Sequence, residues 1–168
     1  GACDGTNNNG GNAGTGTLNT NTAIITLTDT IINTTGGAAA SGGTQGAGGT
    51  ITISDPLVIS TNAVTLNTGA TAGNVTISST INGSTDLDIT SGTGDVAIQG
   101  IIGGTAALSS LDINFSSGNG DIEVTDIGDG TPNPAITGLT RLGNSNTGTL
   151  TLDGSNYDFG AGVTFGSA

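Results

Sequence analysis

The stretches that decide the fold are "SGTGDVAIQG" at residues 91–100 and "SSGNGDIEVTD" at residues 116–126. Each places a Gly-Asp pair before a short run in which apolar and polar residues alternate. Alternation with a period of two is typical of a β-strand that buries one face. Because similar units that recur every ~20–50 residues indicate an array of stacked repeats, the two stretches predict a repeat protein.

An apolar–polar–apolar triplet recurs along the chain, and two more apolar clusters follow each copy of it. The triplets are "ITI" at 51–53, "VTI" at 75–77, "VAI" at 96–98, "IEV" at 122–124 and "LTL" at 150–152. This grouping predicts three short strands per repeat and about six repeats. Counting back from residue 51, we expect an opening repeat with strands at 24–27, 31–32 and 38–40.

The predicted fold class is all-β, as a parallel β-helix (β-solenoid) of about six three-strand coils. Coils stacked strand on strand at ~4.8 Å bury one column of Ile, Val and Leu, and loops of variable length bulge at the corners. We expect a single domain over 1–168, with a Gly/Asn-rich segment at 1–20 and coils at 21–168. Asn67, Asn114 and Asn144 follow third strands and are expected to form a ladder. The alternative is a β-sandwich, which also has short strands with frequent turn signals.

Composition narrows the function classes. The 168 residues carry a formal charge of −12, and Arg141 is the single cation. Nucleic acid is therefore excluded as a partner, because binding it requires Lys and Arg. No membrane span is predicted.

Since His is absent, Ser-His-Asp triads and zinc sites built on imidazole are excluded. Cys3 is the single cysteine, so no internal disulfide forms.

Three repeats resemble those of large secreted bacterial surface proteins. They read "GNVTISSTINGSTDLDIT", "GDVAIQGIIGGTAALSSLDIN" and "GDIEVTDIGDG", and the similarity covers roughly residues 50–125. The families concerned are the filamentous-haemagglutinin-like adhesins and the autotransporter passenger domains. The resemblance implies a right-handed solenoid that serves as a stalk or an adhesive fibre, and an extracellular or cell-surface location.

Carboxylates are the one reactive side chain that recurs. Alignment of the coils stacks Asp95 with Asp121 and Asp88 with Asp112, at ~4.8 Å. Like charges at that distance share a proton or hold a cation. Ca²⁺ is therefore the one candidate cofactor, since it takes carboxylate and carbonyl oxygens. The candidate ligands are these four residues with Asp126 and Asp129, which lie in the loop at 125–133. The simpler interpretation is solvated Asp in surface turns.

The predicted function is a non-catalytic, extracellular structural or adhesive protein that assembles with itself end to end. The alternative is a module of a larger adhesin that binds glycans or Ca²⁺. An ice-binding protein is less favoured, because the Thr-x-Thr units at 26–28, 50–52 and 149–151 are interrupted by other residues. A polysaccharide-cleaving enzyme is also less favoured, because a sugar cleft usually has aromatic platforms and this chain has three Phe and one Tyr.

Overall fold

The computed structural model describes residues 9–21, 23–40, 42–130 and 133–166. In these ranges the regular elements are all β-strands, and no helix occurs. The strands are β1 (Gly16–Leu18), β2 (Ile25–Thr28), β3 (Ile31–Asn33), β4 (Ile51–Ile53), β5 (Leu57–Ser60), β6 (Val64–Asn67), β7 (Val75–Ile77), β8 (Ile81–Gly83), β9 (Asp86–Thr90), β10 (Val96–Ile102), β11 (Ser110–Ile113), β12 (Ile122–Ile127), β13 (Thr140–Leu142), β14 (Leu150–Leu152) and β15 (Val163–Phe165). The prediction of an all-β fold is confirmed.

The strands pair in parallel with strands about one repeat away, and these pairings form three columns. The first column contains β1, β4, β7, β10, β12 and β14; the second contains β2, β5, β8 and the C-terminal parts of β10 and β12; the third contains β3, β6, β9, β11, β13 and β15. Because β10 and β12 belong to two columns, the first two columns form one nine-stranded sheet. The third column is a separate six-stranded sheet. The antiparallel ladders that a β-sandwich of hairpins needs are absent from the described residues.

The core lies where the inward residues of the three columns meet. Ile51, Val75 and Val96 are in register in the first column, and each is at most 1% exposed. Thr52, between two buried residues of β4, is only partly buried, as the period of two predicts. Burial of such an aliphatic side chain contributes about 1.5–3 kcal/mol. One aliphatic cluster therefore extends through successive repeats.

The opening repeat differs from the prediction. It begins at β1, inside the segment 1–20 that the prediction set apart, and β1 pairs with β4. The strand predicted to be first, β2, pairs with β5 in the second column. Residues 38–40, predicted as the third strand, form no strand. The prediction was wrong because residues 34–50 form a long connection, so the first repeat is longer than the others.

Glycine determines the structure of that connection. The N–H groups of Gly10, Ala13 and Gly16 donate to the carbonyls of residues 44, 47 and 50, at 2.8–2.9 Å. Hydrogen bonds at every third residue are typical of an extended helix of the polyproline II type, which has three residues per turn, rather than of a β-strand. A Cβ on Gly10 would lie 1.7 Å from the carbonyl oxygen of Gly37. The segments pack this closely because the residues at the contacts are glycines, which have no side chain.

A second set of glycines, which we call the glycine column, occupies the corner two residues before each strand of the first column. A Cβ on Gly94 would lie 2.3 Å from the carbonyl oxygen of Gly73, and one on Gly120 would lie 1.9 Å from that of Gly94. A Cβ on Gly14, in the first repeat, would meet nothing within 4 Å. In every repeat after the first, the Cβ would thus meet atoms of the preceding repeat. The members are Gly14, Gly49, Gly73, Gly94, Gly120 and Gly148.

The predicted Asn ladder is replaced by separate turn contacts. Asn114 is 1% exposed and has a φ of 51°. Its Oδ1 accepts the Ser91 N–H at 2.8 Å, and its Nδ2 donates to Ser91 Oγ at 2.8 Å. Asn67 instead accepts the N–H of Gly69 in its own turn. Asn144 Nδ2 donates to the backbone carbonyls of Asn114 and Gly118. The amides satisfy backbone groups at the corners, and their side chains do not bond to one another.

Candidate functional site

Asp95 and Asp121 are stacked in successive repeats, immediately before β10 and β12. The backbone N–H of Asp121 donates to Oδ1 of Asp95 at 3.0 Å, and the N–H of Thr149 donates to Oδ1 of Asp121 at 2.7 Å. One repeat earlier, Asn74 Oδ1 accepts the N–H of Asp95 in the same way. Each of these side chains therefore forms a hydrogen bond from its own corner to the backbone of the next repeat. The stacked position is as predicted, and it has a structural role that the sequence analysis did not include.

An acidic groove lies beside this stack. It has a volume of about 280 Å³, and Asp95, Asp121 and Glu123 supply its carboxylates. Glu123 was missed by the sequence analysis, although it is the middle, outward residue of the triplet at 122–124. That outward position was the signal that could have identified it. The remaining lining residues are Asn74, Thr76, Val96 and Ala97.

Asp88 and Asp112 are also in register, on the outer face of the third column. Arg141 lies in register with Asp112 in the following repeat, and its Nε donates to Oδ1 of Asp112 at 2.6 Å. Its Nη2 donates to Oδ2 of the same carboxylate, so the pair is bidentate. The guanidinium carbon lies 4.2 Å from the centre of the Phe115 ring, which is within cation–π distance. The cation beside this stacked pair is thus a side chain of the protein itself.

Asp88 is in a less favourable position than Asp112. Burial raises the pKa of Asp88, the negative charge of Asp112 raises it further, and the positive charge of Arg141 opposes the rise. The hydrogen bond with Asp112 raises the pKa of Arg141, so the guanidinium stays charged. Two carboxylates therefore share one cation, and Asp112 makes the hydrogen bonds with it.

We expect Asp88→Asn to stabilise the protein near neutral pH. Because the pKa of folded Asp88 is raised, its ionised form disfavours the folded state above that pKa, and this penalty is lost as pH falls through it. The gain in the free energy of unfolding should be about 0.5 kcal/mol, since the carboxylate lies on the exposed face of β9 and is screened by water. It should vanish below the usual Asp pKa of about 3.9. Denaturant unfolding at several pH values, with exposed Asp153→Asn as the control, measures this difference; an equal gain in both variants would contradict the explanation.

Asp126 and Asp129 do not join either stack. Asp126 lies in the second column, opposite Ile101, and its Oδ1 accepts the N–H groups of Ser155 and Asn156, both at 2.8 Å. Asp129 is exposed in the turn that follows β12. Among the residues that the structure describes, no group of three or more His, Cys, Asp and Glu side chains is placed to hold a metal ion. The assignment of Ca²⁺ to the six aspartates stays a prediction.

The outward threonines form a short row rather than a continuous plane. Thr17, Thr52 and Thr76 are in register in the first column, but Ala97 and Glu123 continue the row. The Thr-x-Thr unit at 26–28, predicted as part of this array, lies in the second column instead. The row is interrupted, as the sequence analysis expected, and it supports no ice-binding plane across all repeats.

No family model, curated protein or solved structure matches this chain. The resemblance to surface-protein repeats therefore stays a prediction from the motifs themselves. Within the described residues, no helix has the length and apolar character needed to span a membrane.

Proposed function

We propose that the chain is a parallel β-helix that acts as a structural or adhesive element outside the cell. The observation that carries this proposal is the shared register of the three columns. For example, Leu57, Ile81 and Ile102 continue the second column while Val64, Leu87 and Leu111 continue the third. The first five repeats each contribute a strand, or part of one, to every column, and the last contributes β14, β15 and a bridge from Tyr157 to Ile127. A chain that closes these contributions into successive coils is a β-helix.

Such a coil suits a structural role because its ladder hydrogen bonds run along the long axis. Adjacent repeats are joined at three columns and at the corners, where Asn74, Asp95 and Asp121 accept backbone N–H groups of the next repeat. The fully buried members of the core are all aliphatic. The product is a stiff rod whose length is set by the number of repeats.

The outer surface supports an adhesive or spacer role. The outward residues of the strands include Thr17, Thr52, Thr76, Thr65 and Asn82, which are small and polar. With a formal charge of −12 and a single cation, the sides of the rod repel one another and other acidic surfaces. The resemblance of residues 50–125 to secreted surface-protein repeats supports an extracellular location.

Deletion of one whole repeat tests the coil. Removal of residues 75–95 takes out β7, β8 and β9 and joins Asn74 to Val96. The strands on either side then meet in the register they already use, because Ile51 aligns with Val75 and Val75 aligns with Val96. We expect the variant to keep its β-sheet circular dichroism and a cooperative unfolding transition, and to form a rod shorter by about 4.8 Å.

The matched control removes residues 81–90, which contain β8 and β9 but leave β7 in place. This deletion removes the second-column and third-column strands of one repeat but keeps its first-column strand. The strands that follow can then no longer pair in register, so we expect loss of the cooperative unfolding transition. If the two deletions unfold the chain equally, the β-helix is refuted. For the location, antibodies against the purified chain should label intact producing cells; labelling that requires permeabilised cells would contradict an extracellular role.

A further inference from the structure

Both ends of the strand columns have edges without a partner in the described part of the chain. β1, β2 and β3 pair only with β4, β5 and β6 of the second repeat. At the other end, β14 pairs only with β12, and β15 only with β13, while the second column ends at Tyr157, which forms a single bridge to Ile127. An unpaired strand edge offers backbone N–H and C=O groups to another strand.

We propose that these two ends bind each other in separate copies of the chain, so that the last repeat of one copy stacks on the first repeat of the next. The inference rests on the β-helix proposed above. Continued in the existing register, Leu150 and Leu152 of one copy lie beside Gly16 and Leu18 of the next. In the third column, Phe165 lies beside Ile32.

The burial of equivalent residues supports this contact. Phe165 is 48% exposed, whereas Leu142, which occupies the same position one repeat earlier, is buried. Leu150 is only partly buried, whereas its counterpart Ile122 is 1% exposed. The difference arises because no strand follows β14 and β15 in the described residues. The next copy would supply one and remove this apolar surface from water.

A second copy fits these edges better than an unrelated strand does. It presents three parallel strands with the spacing of the three columns, and its own end carries partly buried Leu18 and Ile32 against the core. Leu150 would face Gly16, which leaves room for the larger side chain. The partner is therefore this chain itself, in the same orientation.

Because the two surfaces differ, the contact is head to tail and does not close, so it builds a filament. Six repeats at about 4.8 Å predict an axial subunit period of about 29 Å. The charge of −12 per copy opposes association, so salt should lengthen the filaments by screening this repulsion.

The variant Gly14→Ala tests the contact without changing the fold of one copy. A Cβ on Gly14 meets nothing within 4 Å in the single chain. In the filament it would point at the preceding copy, as the Cβ on Gly120 points at the carbonyl oxygen of Gly94 only 1.9 Å away. We expect wild-type protein to form filaments in negative-stain electron microscopy and light scattering, and Gly14→Ala to remain monomeric with an unchanged melting temperature.

A mixing experiment tests the polarity. Gly14→Ala keeps an intact last repeat that can still bind the first repeat of a wild-type copy. It therefore ends the wild-type filament on one side only, and a substoichiometric amount added before assembly should shorten the filaments. Wild-type protein that stays monomeric at all salt and protein concentrations, or filaments that Gly14→Ala does not affect, would overturn the proposal. If the deletion of residues 75–95 still folds in that case, the β-helix stands and only the end-to-end contact fails.

Discussion

Gly120→Ala should destabilise the protein by about 3 kcal/mol or more. The added Cβ would lie 1.9 Å from the carbonyl oxygen of Gly94 and 2.5 Å from its carbonyl carbon, so the two repeats must move apart. Overpacking of a closely packed interior typically costs about 1–3 kcal/mol, and backbone atoms yield less readily than side chains. Urea unfolding monitored by circular dichroism measures the change.

Gly14→Ala is the matched control, because Gly14 occupies the same position of the first repeat and has open space beside it. At a concentration where the protein is monomeric, we expect a change within about 0.5 kcal/mol. Equal destabilisation by the two substitutions would mean that the glycine column reflects intrinsic backbone preference rather than contact between repeats.

Asn114→Ala should have an effect of similar size, about 3 kcal/mol. The substitution leaves the buried Ser91 N–H without its acceptor, and an unsatisfied buried group costs about 1–3 kcal/mol. Ala also disfavours the left-handed backbone at φ 51° by roughly 1 kcal/mol. Ser91 Oγ in turn donates to the carbonyl of Gly94 at 2.6 Å, so the loss extends to the glycine column.

Two variants separate these contributions. Asn114→Gly restores the backbone conformation but not the amide, so it should be less destabilising than Asn114→Ala by roughly 1 kcal/mol. Asn67→Ala removes a partly exposed amide that accepts one N–H group in its own turn, and should cost about 1 kcal/mol. If Asn67→Ala and Asn114→Ala cost the same, burial of the Asn114 network is not the cause.

Much of the strand pattern was predictable because it is local. The triplets at 51–53, 75–77, 96–98, 122–124 and 150–152 are all strands or begin strands. The first and third residues of each triplet face the core, as the period of two requires. The register of Asp88 with Asp112 also followed, because each is the middle residue of a third-strand triplet. The opening repeat was mispredicted because its long connection, residues 34–50, has no apolar alternation from which to count.

The sites were less predictable because they depend on partners from other repeats. Arg141 lies 29 residues after Asp112, and only the pairing of β11 with β13 places it beside that carboxylate. The acidic groove likewise needed Glu123, which joins Asp95 and Asp121 only when β10 and β12 are stacked. Connections of variable length hide such pairs from any fixed spacing rule.

The sequence by itself determined that this protein is built of short strands with one buried face, grouped in threes, because side-chain alternation depends only on neighbouring residues. The tertiary structure decided which strand lies beside which, and with it the partner of Arg141, the bonds of Asn114 and the unpaired edges at the two ends. The physical reason is that backbone ladders and corner contacts join residues one repeat apart, and their energies depend on register rather than on local composition.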